Sequence, residues 1–159
     1  MSRKGSFDFK EKLAALKKLK RTLPREVGEI TANFFQDNFT KQGFDDNGVN
    51  PWKQVRRRIA GTPEYKYPKK KDLGRRTRAI LVKSGKLRRD IKVRKARFDR
   101  IEVGTSRLTK DYASRHNYGE DKMPKRKFIG NSRNLERKQK SHITNRLDKI
   151  LGRFNFFNF

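Results

Sequence analysis

The sequence predicts an α+β fold, with helices packed on an antiparallel β-sheet. Three observations carry that prediction: an aromatic stripe at helical spacing after Pro24, alternation of apolar and charged residues between Asp90 and Thr105, and a helical period running from Ser132 to Leu151. At 159 residues the chain suits one domain with a modest core.

Taken in order, residues from Asp8 to Leu19 read as a short amphipathic helix, with Phe9, Leu13 and Leu16 on one face and Lys10, Lys12, Lys17 and Lys18 on the other. Thr22 and Pro24 then punctuate the chain, and Pro24 suits the first turn of a second helix, where its missing N–H has no intrahelical partner. That second helix repeats Val27, Ile30, Phe34, Phe35 and Phe39. Glu26 and Glu29 stand near its positive end, and Gly43 offers a stop. Its stripe is expected to pack on the sheet.

Asp45-Asp46-Asn47-Gly48 opens like a calcium loop, but Arg56 and Arg57 stand where the distal carboxylate is needed, so the segment reads as a turn. Trp52, the only tryptophan, is expected to anchor that turn against the helix. From Lys53 to Arg78 periodicity is lost and charge dominates, which predicts a basic loop or arm spanning 53–80, ordered on binding. Ser84 to Arg89 reads as a helical turn capped by Ser84. Asp90 to Thr105 then reads as a hairpin turning at Phe98-Asp99-Arg100, with Ile91, Val93, Ile101 and Val103 on an apolar face and Lys92 and Arg94 on a basic one. The whole sheet is expected to hold about three to five strands. Leu135, Ile143, Leu147 and Leu151 mark the final helix, followed by the aromatic tail 152–159.

The net charge of +27 is concentrated. Lys and Arg outnumber Asp and Glu by 20 to 4 across residues 53–100, against 10 to 7 before that stretch and 14 to 6 after it. Crowding like charges costs self-repulsion unless a polyanion or an acidic surface offsets it, so a charged partner is expected. Arg56, Arg57, Arg58, Lys69, Lys70, Lys71, Arg75, Arg76, Arg88 and Arg89 are the candidate contacts to DNA or an acidic partner. Four phenylalanines in six residues, Phe154, Phe156, Phe157 and Phe159, are the candidate subunit interface.

Other chemistries have little to stand on. Without cysteine there is no disulfide and no thiolate metal site. No apolar run approaches the roughly 20 residues that span a bilayer, and Phe7-Asp8-Phe9-Lys10-Glu11 is not a signal core, so a cytoplasm-like setting is expected. His116 and His142 are the only histidines, and no carboxylate pair accompanies them in the manner of a metal nuclease. Gly104-Thr105-Ser106 lacks the flanking pattern of a phosphate loop, and Ser84 has no paired base. The reading is no enzyme, no cofactor and no metal.

The order of short motifs is more informative than any one of them. Gly48-Val49-Asn50-Pro51-Trp52 is followed by Leu81-Val82-Lys83-Ser84-Gly85-Lys86-Leu87-Arg88-Arg89-Asp90-Ile91, then Val103-Gly104-Thr105, then Tyr112-Ala113-Ser114-Arg115-His116-Asn117-Tyr118-Gly119, then Met123-Pro124-Lys125-Arg126-Lys127-Phe128-Ile129-Gly130. From Phe34 to Leu151 this series resembles the phage virion morphogenesis, or tail completion, proteins of the Mu-like type. The basic insertion between Trp52 and Leu81 and the aromatic tail lie outside the shared pattern. The resemblance implies a helix-on-sheet subunit and a homo-oligomeric ring, commonly of six copies, at the head-tail junction, neck or tail end of a virion assembled in the host cytoplasm. It also implies neighbouring connector and tail proteins as partners and a structural role for His116; if the basic hairpin face and arm point into such a ring, they meet viral DNA in the channel through phosphates without sequence choice. The alternative is a stand-alone basic nucleic-acid-binding protein of ribosomal or nucleoid type.

Overall fold

In the computed structural model, which describes residues 8–67, 74, 76–121 and 123–152, the chain is an α+β fold built along one long helix. Helix α1 runs from Phe9 to Lys41. Asp8 caps it, accepting from the amides of Lys10 at 2.9 Å and Glu11 at 3.2 Å, which satisfies two of the orphan donors of the first turn. Gln42 closes it in the left-handed conformation, its N–H returning to the Asn38 carbonyl.

The two N-terminal helices expected on either side of Thr22 and Pro24 are therefore one. Pro24 is buried inside α1, where it deprives the Lys20 carbonyl of its usual partner at an intrinsic cost of about 3 kcal/mol. Packing on helix α5 (Arg133–Leu151) holds the helix together across that gap. On the N-terminal side of the proline, Lys12 Nζ donates to the Ile150 carbonyl at 2.7 Å, placing a cation on the last turn of α5. On the other side Glu26 meets His142 at 2.8 Å and Arg146 at 3.0 Å, and Gln139 donates to the Thr31 hydroxyl at 2.8 Å. These pairs run in opposite chain order, so the two helices are antiparallel. Ser132 caps α5 through the Leu135 amide at 3.1 Å, at the boundary expected from sequence.

The strands form two separate antiparallel pairs among the described residues, in place of one sheet of three to five strands. Strands β1 (Gly43–Asp45) and β2 (Val49–Pro51) flank the Asp46–Gly48 turn. Strands β3 (Lys92–Arg97) and β4 (Arg100–Gly104) make the expected hairpin around Phe98 and Asp99. A bulge at Val93/Lys95 keeps Val93 opposite Val103 and Ala96 opposite Ile101, so one apolar face survives the irregularity. That face lies on α1 at Gly28. A Cβ at Gly28 would stand 2.9 Å from Val93 Cγ1 and 3.4 Å from Ile101 Cγ2, so the missing side chain is what lets helix and hairpin touch.

The aromatic half of α1 extends past this hairpin, whose Val103 packs against the same core, into irregular chain. Phe39 meets Trp52 edge-on with ring centroids 5.5 Å apart and Phe128 at 5.1 Å, and the same core takes in Phe34, Phe35, Ile80, Leu87, Ile91, Ala113 and Leu135. Loops with this much apolar surface can be buried only if their backbone polar groups find partners, and here side chains such as Asn117, Trp52 and Asn38 supply them.

Candidate polyanion-contact and subunit-contact surface

The basic loop after Trp52 doubles back on itself. Arg56–Arg58 form a 3₁₀ turn, and Pro63–Lys66 form a single helical turn, α2. Arg58 reaches across the loop, donating from Nε to the Arg76 carbonyl at 3.0 Å and from Nη2 to the carbonyls of Thr77 at 3.1 Å and Arg78 at 2.8 Å. Arg57 Nη2 donates to the Arg78 carbonyl at 3.1 Å. Arg76 stacks on Tyr65 at 4.4 Å and donates to the Tyr65 carbonyl, and Arg56 pairs with Glu64 at 3.1 Å. A carbonyl oxygen orients a guanidinium without neutralising it. The loop therefore fixes these arginines in place, and the carbonyls that hold Arg58 orient its guanidinium while leaving its charge uncompensated.

Of the ten expected contact residues, Arg56, Arg57, Arg58 and Arg76 are thus brought together. Arg88 and Arg89 stand on a different element, helix α3 (Lys86–Arg89), where Arg89 Nη2 donates to the Ser84 carbonyl at 2.9 Å. Gly85 at φ 72° takes the N-cap position of α3 expected for Ser84, because only a residue without a Cβ enters that conformation freely. Lys69, Lys70, Lys71 and Arg75 lie outside the described residues, as do Phe154, Phe156, Phe157 and Phe159.

The hairpin is a weaker part of the basic surface than its sequence implies. Arg94 is turned onto Asp90 at 3.0 Å and the Gly104 carbonyl at 3.1 Å, Arg97 onto Asp99 at 3.1 Å, and Arg100 onto Glu102 at 2.6 Å. Exposed pairs of this kind add little stability but do cancel field.

Beneath the basic surface, the polar residues of the ordered motifs bond to one another's segments. The Asp90 carboxylate accepts from the Ser106 amide at 2.7 Å, the Ser106 hydroxyl at 2.8 Å and the Thr109 hydroxyl, tying the Ser-Gly-Lys-Leu segment to the chain after Val-Gly-Thr. Burial pushes its carboxyl upward, but the hydrogen bonds from Thr109, Ser106 and Arg94 outweigh burial and hold it well below the usual carboxylate range. Asn117 is buried and accepts from the amides of Phe128 at 2.9 Å and Ile129 at 3.0 Å. Trp52 Nε1 donates to the Lys127 carbonyl at 2.7 Å, and Asn38 Nδ2 to the Phe128 carbonyl at 3.1 Å.

The two histidines belong to different neighbourhoods. His142 sits on α5 against Glu26, whose carboxyl is held below its ordinary value first by that hydrogen bond, against burial, and then by the charge of Arg146. His116 lies in a π-helical turn, Arg115–Gly119, that continues helix α4 (Lys110–Ser114), and its ring packs edge-on to Tyr112 at 4.4 Å. Burial, then the nearby charge of Arg126, pushes the imidazole below its ordinary value, toward the neutral form. Among the described residues no three His, Asp or Glu side chains converge on a metal-sized point, and no helix is long and apolar enough to cross a membrane.

Sequence reasoning passed over Arg126. It is 6% exposed and directs Nε and Nη2 at the Lys53 carbonyl, at 3.3 Å and 3.2 Å, clamping the start of the basic loop to the core. Nothing local marks it in the run Lys125-Arg126-Lys127, and only the alternation of the strip, with Phe128 also buried, would have singled it out. Compared with models of protein families, with curated proteins and with solved structures, the chain matches none.

Proposed function

We propose that this protein is a structural, non-enzymatic subunit of a homo-oligomeric ring at the head-tail junction, neck or tail end of a phage particle, where it completes assembly and surrounds the DNA channel. The observation that carries the reading is the concentration of charge in residues 53–100, in a chain whose motifs occur in the order that resembles tail completion proteins. The arginine cluster of the loop supports it. Guanidiniums held by carbonyls in a fixed array suit phosphates that pass without sequence choice, because such contacts position a duplex without reading its bases. A cyclic ring joins two different patches of each subunit, and the aromatic tail 152–159 is apolar material for one of them.

Mass measurement of the purified protein tests the assembly. A discrete ring that binds duplex DNA weakly, with affinity falling steeply as salt rises, agrees with the proposal; a monomer that binds RNA tightly favours the ribosomal or nucleoid alternative and removes it. Labelling of assembled particles then decides the location, since a subunit absent from the junction, neck and tail end has no place in this scheme.

A further inference from the structure

Where the basic loop meets the core, a pocket of about 240 Å³ is lined by the cations Arg57, Arg78, Lys83 and Arg126, by Tyr112 and His116, and by an apolar strip over residues 79–82 with Val55. A water takes about 30 Å³ of liquid, so the space holds several waters or one tetrahedral oxyanion with some of its shell.

Two features of this pocket are costly in the chain alone. Arg126 is almost fully buried, yet its hydrogen bonds go to a neutral carbonyl, and no carboxylate among the described residues pairs with it. Burial accordingly pushes its guanidinium below the ordinary arginine value, with the Tyr112 hydroxyl as a partial counterweight. A buried charge normally has a partner of opposite sign, because the desolvation cost is otherwise unmet. The second feature is His116 Nδ1, which is buried without a hydrogen-bond partner among the described residues. The two groups are held together by the backbone, since the Arg126 amide donates to the His116 carbonyl at 2.7 Å. The cation is left unmatched in a wall that holds further cations, and what that wall lacks is an anion.

We propose that this pocket binds a single phosphate-class oxyanion, with Arg126 at its buried side and Lys83 and Arg78 at its solvent side. The site is discrete and stoichiometric, unlike the diffuse phosphate contacts of the loop surface. It does not depend on ring formation, and it links loop to core, so its filling stabilises the fold.

The test is titration of the full-length protein with sodium phosphate against sodium chloride at matched ionic strength, followed by calorimetry and by the thermal midpoint. One phosphate per chain with a saturating rise in midpoint is expected. Arg126→Gln should weaken binding by about tenfold or more, since a charge-assisted bond is lost, while exposed Lys83→Gln costs about two- to threefold. Arg97→Gln, on the hairpin, should leave the affinity unchanged. If Arg126→Gln does not fold, Arg78→Gln and Lys83→Gln carry the test. Phosphate acting no differently from chloride, or binding undiminished in both of those variants, overturns the site. Competition by a short thymidine oligonucleotide would make a nucleic-acid backbone the source of the phosphate, and absence of competition would make it free phosphate; binding to the pocket stands in either case.

Discussion

The basic loop and the motif segments both rely on side chains that bond to backbone groups, but in opposite surroundings. In the loop, Arg58 bonds three carbonyls near the surface, where water could replace each of them. In the motif segments, Asn117 bonds two amides at a site 5% exposed, where water cannot. The difference teaches where the molecule keeps its stability and where it keeps its charge. Buried polar groups make irregular chain tolerable inside the core, while the carbonyls that hold Arg58 near the surface orient its guanidinium without neutralising its charge.

Breaking the buried side should have the largest effect. Asn117→Ala strands the Phe128 and Ile129 amides, and we expect a loss of about 3 kcal/mol in chemical denaturation at one to two kcal/mol per buried unsatisfied group. If the loss is as small as a surface substitution gives, the contrast fails. Gly28→Val comes next. Its branched side chain meets Val93 and Ile101 directly, and overpacking of this kind should cost about 2 kcal/mol and loosen the hairpin first, which amide exchange along β3 and β4 would register.

Asp90→Asn sharpens the comparison through pH. The folded carboxyl lies below its unfolded value, so the contribution is complete above the ordinary Asp pKa of about 3.9 and is lost as pH falls from there toward the depressed folded value. At neutral pH the substitution should cost about 1 to 2 kcal/mol, and it should flatten the acid limb of the stability curve. An unaltered acid limb would assign the acid loss elsewhere. Smallest in stability is Arg58→Ala, expected to cost no more than about 1 kcal/mol. If Arg58 meets a phosphate, the same change should lower the slope of log affinity against log salt by about one. A large stability loss with no change in that slope would make Arg58 a structural staple only.

Much of the fold was legible where a period was present. The α5 start at Ser132, the β3–β4 hairpin and the Asp46–Gly48 turn follow from caps, alternation and turn residues that act within a few positions. Pro24 misled because its local cost is certain while the α5 contacts on both sides of it come from residues more than a hundred positions away. The candidate surface was legible as a charge run but not as a geometry. Arg58 and Arg126 look alike in sequence, yet one lies on the loop and the other beneath it.

By itself, then, the sequence determined the helical and alternating segments, the crowding of cations between residues 53 and 100 and the order of its motifs, since these depend on near neighbours and on composition. Only the tertiary structure decided that α1 is continuous, that Asp90 bonds the chain at Ser106 while Asn117 and Trp52 both bond the segment around Phe128, and that Arg126 is buried beside His116. Burial and long-range hydrogen bonding are set by which distant residues meet, and no local pattern encodes that meeting.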